Sequence, residues 1–200
     1  MGGEETVFEG RWMGVKAVKF FDPKQNGFGV WECAFRNTKP KGAQADGVDI
    51  IAVLKRNGGK EKCFVLVKQW RIPINGWSLE FPAGLMEDEA ENVLATAQRE
   101  LKEETGYTYT RVIREATKGE QILDPGLSSD SVCFLTVEVD GDAECNRNPV
   151  QQLQHGEHIE VVLAPCHKLM ECLAEHVDQG VYVEAMLYSF GIGYSLTGLI

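Results

Sequence analysis

The chain has few of the features that mark secreted, nucleic-acid-binding or membrane proteins. Its six cysteines, at 33, 63, 133, 145, 166 and 172, include no C-x-x-C pair. They read as reduced, mostly buried thiols of an intracellular protein. Only four histidines occur, and His155 and His158 lack cysteine or histidine partners at zinc-ligand spacing, so they read as solvated loop residues. Basic charge is scarce: 20 Lys and Arg stand against 30 Asp and Glu, a net charge of −10. With no basic run to offset it, a nucleic-acid surface is excluded. The opening MGGEETVFEG has no apolar core of a secretory signal. Met1 to Thr6 fits a myristoylation pattern in form, but its acidic pair and the missing basic patch argue against anchoring. One apolar run, Val181 to Ile200, is long enough to raise the question of a membrane span. Gly191, Gly193, Gly198, Ser189 and Ser195 favour instead a helix buried against the domain, followed by a loose tail. No repeat or low-complexity tract is present. The expected compartment is the cytoplasm, with the nucleus as a second.

What is present suits one domain with a small appendage: 200 residues, 44% hydrophobic and 25% charged. Residues 1–46 read as a small N-terminal β unit, with Trp12 to Phe21 and Gly29 to Phe35 joined by turn residues 22–27 and followed by the breaker Lys39-Pro40-Lys41-Gly42. Residues 47–200 form the main domain. Asp49 to Leu54 and Cys63 to Trp70 are apolar enough for central strands, linked through Asn57-Gly58. Trp77 to Phe81, Val112 to Glu115, Ser131 to Val139 and Glu160 to Leu163 supply further strands. His167 to Gln179 reads as a helix with Leu169, Met170, Leu173 and Val177 inward, and Tyr182 to Phe190 as another. The expected class is α/β, a mixed sheet sandwiched between helices.

The most informative stretch is Gly84 to Tyr107. Ala90, Leu94, Ala97 and Leu101 recur at helical spacing, predicting about five turns that end at Gly106. Glu100, Glu103 and Glu104, at i, i+3 and i+4, then project from one face. Like charges so spaced repel, and Lys102 lies on another side, so the cluster calls for a counter-charge from outside the helix. Mg²⁺ suits it, being bound through a few carboxylates plus substrate phosphates. Taken alone, E-x-x-E-E reads as a solvated acidic face.

The surrounding pattern changes that reading. Glu91, seven residues, then Arg99-Glu100-Leu101-Lys102-Glu103-Glu104-Thr105-Gly106-Tyr107 fills every fixed position of E-x7-R-E-U-x-E-E-x-G-U. Through this motif the chain resembles the Nudix hydrolases. The resemblance implies the Nudix fold and hydrolysis of a nucleoside diphosphate linked to another group, with Mg²⁺ (or Mn²⁺) held by the glutamates. One departure stands: six residues separate Gly84 from Glu91, where the family has one fewer.

Val67 to Arg71, Leu79 to Leu85, Leu123 to Ser128, Ala45 to Val48 and Gly156 to Val161 resemble the ADP-sugar pyrophosphatase branch, which hydrolyses ADP-ribose to AMP and ribose 5-phosphate. That resemblance implies Glu100, Glu103 and Glu104 as metal ligands, with the Ala83 carbonyl and Glu80 near the metals. A strand feeding the helix through a tight glycine turn is expected to bring that carbonyl to the acidic face. It implies Arg71 and Arg36 on the pyrophosphate, Trp12 and Trp31 around adenine with Glu32 beside them, and Asp124 by the terminal ribose, with Leu85 also lining the substrate site. Glu157 is the implied base, on a loop before the last strand, while Glu160 should point elsewhere by strand alternation. A homodimer with exchanged N-terminal β units is implied as well. Two alternatives stay open: a Nudix hydrolase of another nucleotide, such as an oxidised guanine nucleoside diphosphate, and a non-catalytic nucleotide-binding scaffold.

Overall fold

Turn chemistry decides where the strands reverse in this chain, whose computed structural model describes residues 3–87 and 92–197. The chain divides into two units in space: Met1–Val48 with Leu85–Thr96 and Thr117–Cys133, and Asp49–Gly84 with Ala97–Ala116 and Phe134–Ile200. Residues 1–46 thus share the first unit with two later stretches.

In the first unit, β1 (Glu4–Glu9), β2 (Met13–Asp22) and β3 (Gly27–Arg36) form a three-stranded sheet in that order. The Asp22 carboxylate accepts the Lys24 and Gln25 amides at 2.8 and 3.3 Å, and Asn26 takes φ 47°, so the hairpin falls where its turn residues predict. Strand β1 has no counterpart in the sequence reading. All six of its residues are exposed, so no burial alternation announces it. Residues 123–130 lie along β3, the Ala34 amide donating to the Leu127 carbonyl at 2.9 Å and the Ser129 amide to the Ala34 carbonyl at 3.1 Å.

The second unit holds most of a mixed sheet. Its strands are β4 (Gly47–Arg56), β5 (Glu61–Arg71), β6 (Gly76–Glu80), β7 (Ala83–Leu85), β8 (Arg111–Arg114), β10 (Ser131–Asp140), β11 (Ile159–Pro165) and β12 (Tyr182–Val183), after β9 (Gln121–Ile122) in the first unit. The order is β12-β6-β5-β4-β10-β8, with β11 on β5, β7 on β4 and β9 on β10. Asn57, at φ 53°, and Gly58, at φ 62°, turn β4 into β5, as Asn-Gly predicts. Strand β5 carries β4 and then β6 along one edge and β11 along the other. Its residues Phe64 to Val67 are all buried, so both faces are covered. Phe64 and Leu66 enter a core with Leu79, Phe81, Leu169, Leu173 and Leu187. The last three come from α2 (Leu169–Asp178) and α3 (Ala185–Leu196).

Helix α1 (Val93–Thr105) has 13 residues, fewer than four turns, where the sequence predicts about five. Asn92 starts it, its Oδ1 accepting the Leu94 and Ala95 amides at 3.0 Å. Ala97 and Leu101 are fully buried, but Leu94 is 45% exposed, so it is not part of the inward stripe. Ala90 and Glu91 lie outside the described residues, as do Met1 and Gly2.

Other expectations are corrected. Tyr182 and Val183 form β12, parallel to β6, and the last helix begins only at Ala185. Pairing with a distant strand overrides local helical spacing. Val177 is 50% exposed, not inward. All six cysteines are free, but only Cys133 is buried and Cys145 is exposed. Among the described residues no helix is long and apolar enough to cross a membrane.

Gly106 closes α1 at φ 76°, and an added Cβ would overlap the Val150 backbone nitrogen. Gly106→Ala should therefore cost more than about 1 kcal/mol of stability. Urea unfolding reads this, and an unchanged midpoint would contradict it.

Candidate active site

Helical spacing brings Glu100 and Glu104 to one face of α1, and that face is buried: they are 8% and 6% exposed. Burial pushes the Glu100 carboxyl up to about 7, against the pull of Arg99, with Glu103 and Glu157 adding to the rise. Glu104 is pushed well above its ordinary value, first by burial and then by Glu100, while the Ala83 amide and Arg71 work the other way. The Ala83 N–H donates to Glu104 Oε2 at 3.0 Å. The tight glycine turn expected at Ala83 is a short strand, β7 (Ala83–Leu85), and its first amide lies on the acidic face. Gly84 follows, and an added Cβ would overlap the Glu100 carboxyl. The glycine leaves space that this side chain fills.

Part of the counter-charge comes from within the helix, not only from outside as the spacing suggested. Arg99 Nη1 lies 2.7 Å from Glu100 Oε1 and 3.5 Å from Glu103 Oε2. Its place four residues before Glu103 was the available signal. Among the described residues no three His, Cys, Asp or Glu side chains already surround one point as a metal shell.

Arg71 grips both oxygens of Glu80, through Nε at 3.0 Å and Nη2 at 2.5 Å. Burial opposes the arginine's charge, but Glu80 outweighs it and holds the guanidinium above its ordinary value. Both Glu80 oxygens are thus engaged by Arg71. Glu184 is a further member that sequence reasoning missed. Strand β12 sets Val183 beside Leu79, so Glu184 follows next to Glu80. Burial, then Asp49 and Glu80, push Glu184 up to about 8 while Arg71 lowers it. No local signal marks it, because its place depends on a pairing made across about 100 residues of chain.

Glu157 sits in a turn before β11. Its amide donates to the Gln154 carbonyl at 3.1 Å, and its carboxylate accepts the Gln154 amide at 2.7 Å. Glu160, by contrast, pairs with Lys68 at 2.6 Å. The residues that contact the α1 end from this loop, Gln151 and Gln154, were also missed.

The remaining expected residues lie in the first unit. The Trp31 indole N–H donates to the Gly126 carbonyl at 3.2 Å, and Arg36 Nε meets Asp130 at 2.5 Å. The structure therefore brings Trp31 and Arg36 to the 124–130 segment. Asp124 caps its own turn, accepting the Gly126 amide at 3.2 Å. Trp12 lies under Arg11, 4.7 Å from its ring centre. Trp31 pairs with Val18, whereas Trp12 comes opposite Asn37, roughly 20 Å away along the sheet. Glu32 is exposed and Leu85 half-buried.

A profile of the NUDIX domain matches residues 44–184. The chain belongs to the Nudix family. Among relatives, "Putative nudix hydrolase 2" of Caenorhabditis elegans is 43% identical, the match covering 95% of this chain and 82% of that one. The ADP-ribose pyrophosphatase of Saccharomyces cerevisiae is 35% identical over 92% of this chain and 77% of its own. The ADP-sugar pyrophosphatase of Mus musculus is 37% identical over 94% and 84%. A crystal structure of an ADP compounds hydrolase aligns with a TM-score of 0.61 at 19% identity, over 98% of this chain and 93% of that one, a likeness of fold.

Nudix hydrolases generally use divalent metal ions, and the donor set here fits one. Two buried carboxylates and a third on the same helix offer hard oxygen donors and lack full neutralisation by Arg99 alone.

The same burial gives a pH test. The folded-state values of Glu100 and Glu184, about 7 and about 8, stand above an ordinary 4.5. Their contribution is present in full below about pH 4.5 and is lost as the pH rises through 7 and 8. In chelator, the thermal midpoint should be lower at pH 8.5 than at pH 6, and Glu100→Gln should narrow the gap. Equal midpoints in the parent would contradict this.

Proposed function

We propose that this Nudix hydrolase splits the diphosphate bridge of ADP-sugars, chiefly ADP-ribose to AMP and ribose 5-phosphate, with Mg²⁺ as the ion and Mn²⁺ as a substitute. The observation that carries this is the match, over more than nine-tenths of the chain, to relatives named ADP-ribose and ADP-sugar pyrophosphatase at 35% and 37% identity.

Glu100, Glu103 and Glu104 would hold the metal, with the Ala83 carbonyl and Glu80 near it. When bound, it neutralises charge on the phosphate oxygens and lowers the pKa of a coordinated water. Arg71 uses Nε and Nη2 on Glu80, which leaves its Nη1 edge to donate to a phosphate oxygen. Holding the guanidinium by both oxygens of Glu80 fixes its plane before substrate arrives. Glu157 accepts the proton of the attacking water, since it is the carboxylate outside α1 whose charge acts on both Glu100 and Glu104.

Trp12 and Trp31 stack on adenine, with Glu32 at the base edge. Within one chain the two indoles stand far apart, which supports a homodimer in which each adenine receives one tryptophan from each copy. The exposure of the three-stranded sheet supports the same assembly: Phe8, Trp12, Phe28, Val30 and Trp31 are all more than half exposed, an apolar surface suited to a second copy. Arg36, oriented by Asp130, reaches the pyrophosphate, and Asp124 and Leu85 border the terminal ribose.

Product analysis with ADP-ribose, ADP-glucose, GDP-mannose and oxidised guanine nucleotides in Mg²⁺ tests the assignment. AMP and ribose 5-phosphate from ADP-ribose at the highest kcat/KM are expected; preference for a guanine nucleotide would overturn it. Glu104→Gln should lower kcat by about 10²-fold or more without unfolding the protein. Trp31→Ala should raise KM for ADP-ribose, losing about 1–3 kcal/mol of stacking. Parental kinetics in either variant would refute the role given to that residue.

A further inference from the structure

The last carbonyls of a helix have no partner inside it and must find donors elsewhere. At the end of α1 most of those donors come from the loop that carries Glu157. Gly106 N–H takes the Lys102 carbonyl at 2.9 Å, and Gln152 N–H takes that of Glu103 at 2.7 Å. The Glu104 carbonyl is met by a side chain: Gln151 Nε2 donates to it at 2.6 Å and to the Ile159 carbonyl at 3.1 Å. The loop entrance packs closely on the helix end, where a Cβ on Gly106 would overlap the Val150 nitrogen and crowd the Pro149 carbonyl carbon.

These bonds have a joint consequence for residues 152–158. One end of the segment is fastened to the carboxylate helix and the other to the first residue of β11. The Gln151 carboxamide holds both ends with the two hydrogens of a single NH₂ group. Inside the segment the chain turns at Gly156, φ 91°, and the Gln154 and Glu157 bonds close that turn. The Gln154 side chain reaches Glu103 only at 3.4 Å and is exposed, so it adds little restraint.

We propose that Gln151 is the positioning residue of this loop: by donating to the Glu104 and Ile159 carbonyls at once, its carboxamide sets how far the Glu157 carboxylate reaches toward the carboxylates of α1. The inference rests on Glu157 being the base. It requires a neutral double donor at position 151. A glutamate of equal length has no such pair of hydrogens and would face two carbonyl oxygens with its charge.

The test compares the parent with Gln151→Leu, Gln151→Glu, Glu157→Gln and the double variant Gln151→Glu/Glu157→Gln, using ADP-ribose hydrolysis in Mg²⁺ and amide hydrogen exchange without metal. Both Gln151 variants should lose about tenfold or more in kcat, with KM kept within about twofold. The double variant should be no slower than Glu157→Gln alone, because a residue acting through Glu157 has nothing left to position once the base is gone. Amides of 152–158 should exchange faster, while those pairing β5 with β11 keep their protection. Parental kcat in the Gln151 variants, a multiplicative loss in the double variant, or unchanged exchange in 152–158 would each overturn the proposal. Parental turnover in Glu157→Gln would overturn the assignment of the base itself, and so separates failure of that reading from failure of the role given to Gln151.

Discussion

Two carboxylates four residues apart on one helix, both removed from water, set the terms for the rest of this structure. An exposed pair at that spacing would cost a few tenths of a kcal/mol. Burial makes the same pair far harder to ionise, because each loses its hydration and gains a like neighbour in a low-dielectric setting. Among the described residues the relief is partial: Arg99 on Glu100, and one backbone amide and the charge of Arg71 on Glu104. A hydrophobic replacement would fold with less strain. That the acids nevertheless occupy this face is consistent with a site that stability alone would not build, in a family that generally uses divalent ions.

The surroundings are shaped by the same constraint. Gly84 gives the Glu100 side chain its space, and Gly106 lets residues 149–150 pass against the helix end. Strand β5 is buried on both faces and does not yield easily, so it is a firm base for Arg71 at its end. Glu80 then fixes that arginine by both oxygens. The segment before β11 is short, polar and fastened at its ends.

Much of this could be read from residue order, and the reasons are local. The Asn57-Gly58 turn, the β2–β3 turn and the end of α1 at Gly106 all depend on backbone angles that few residues adopt, so composition reveals them. The i, i+4 placement of Glu100 and Glu104 follows from helix geometry alone. What stayed hidden depends on distant partners. Strand β12 exists because Tyr182 and Val183 meet β6, and β1 because β2 offers an edge. Neither has a pattern of its own. Glu184 and Gln151 gain their places from register and from a helix end, which no spacing in the sequence encodes. Arg99 is the exception: its place four residues before Glu103 is legible in the sequence, yet only Lys102 enters the reading of that spacing.

The central claim is that the buried acids of α1 are a binding place for a hard divalent cation. Calorimetric titration of Mg²⁺ at pH 7, in two buffers of different ionisation enthalpy, measures binding and proton release together. Saturable binding with protons released, as Glu100 gives up its proton to the metal, is predicted, with both signals reduced in Glu100→Gln. No saturable binding, or binding without proton release and equal in the variant, would contradict the account.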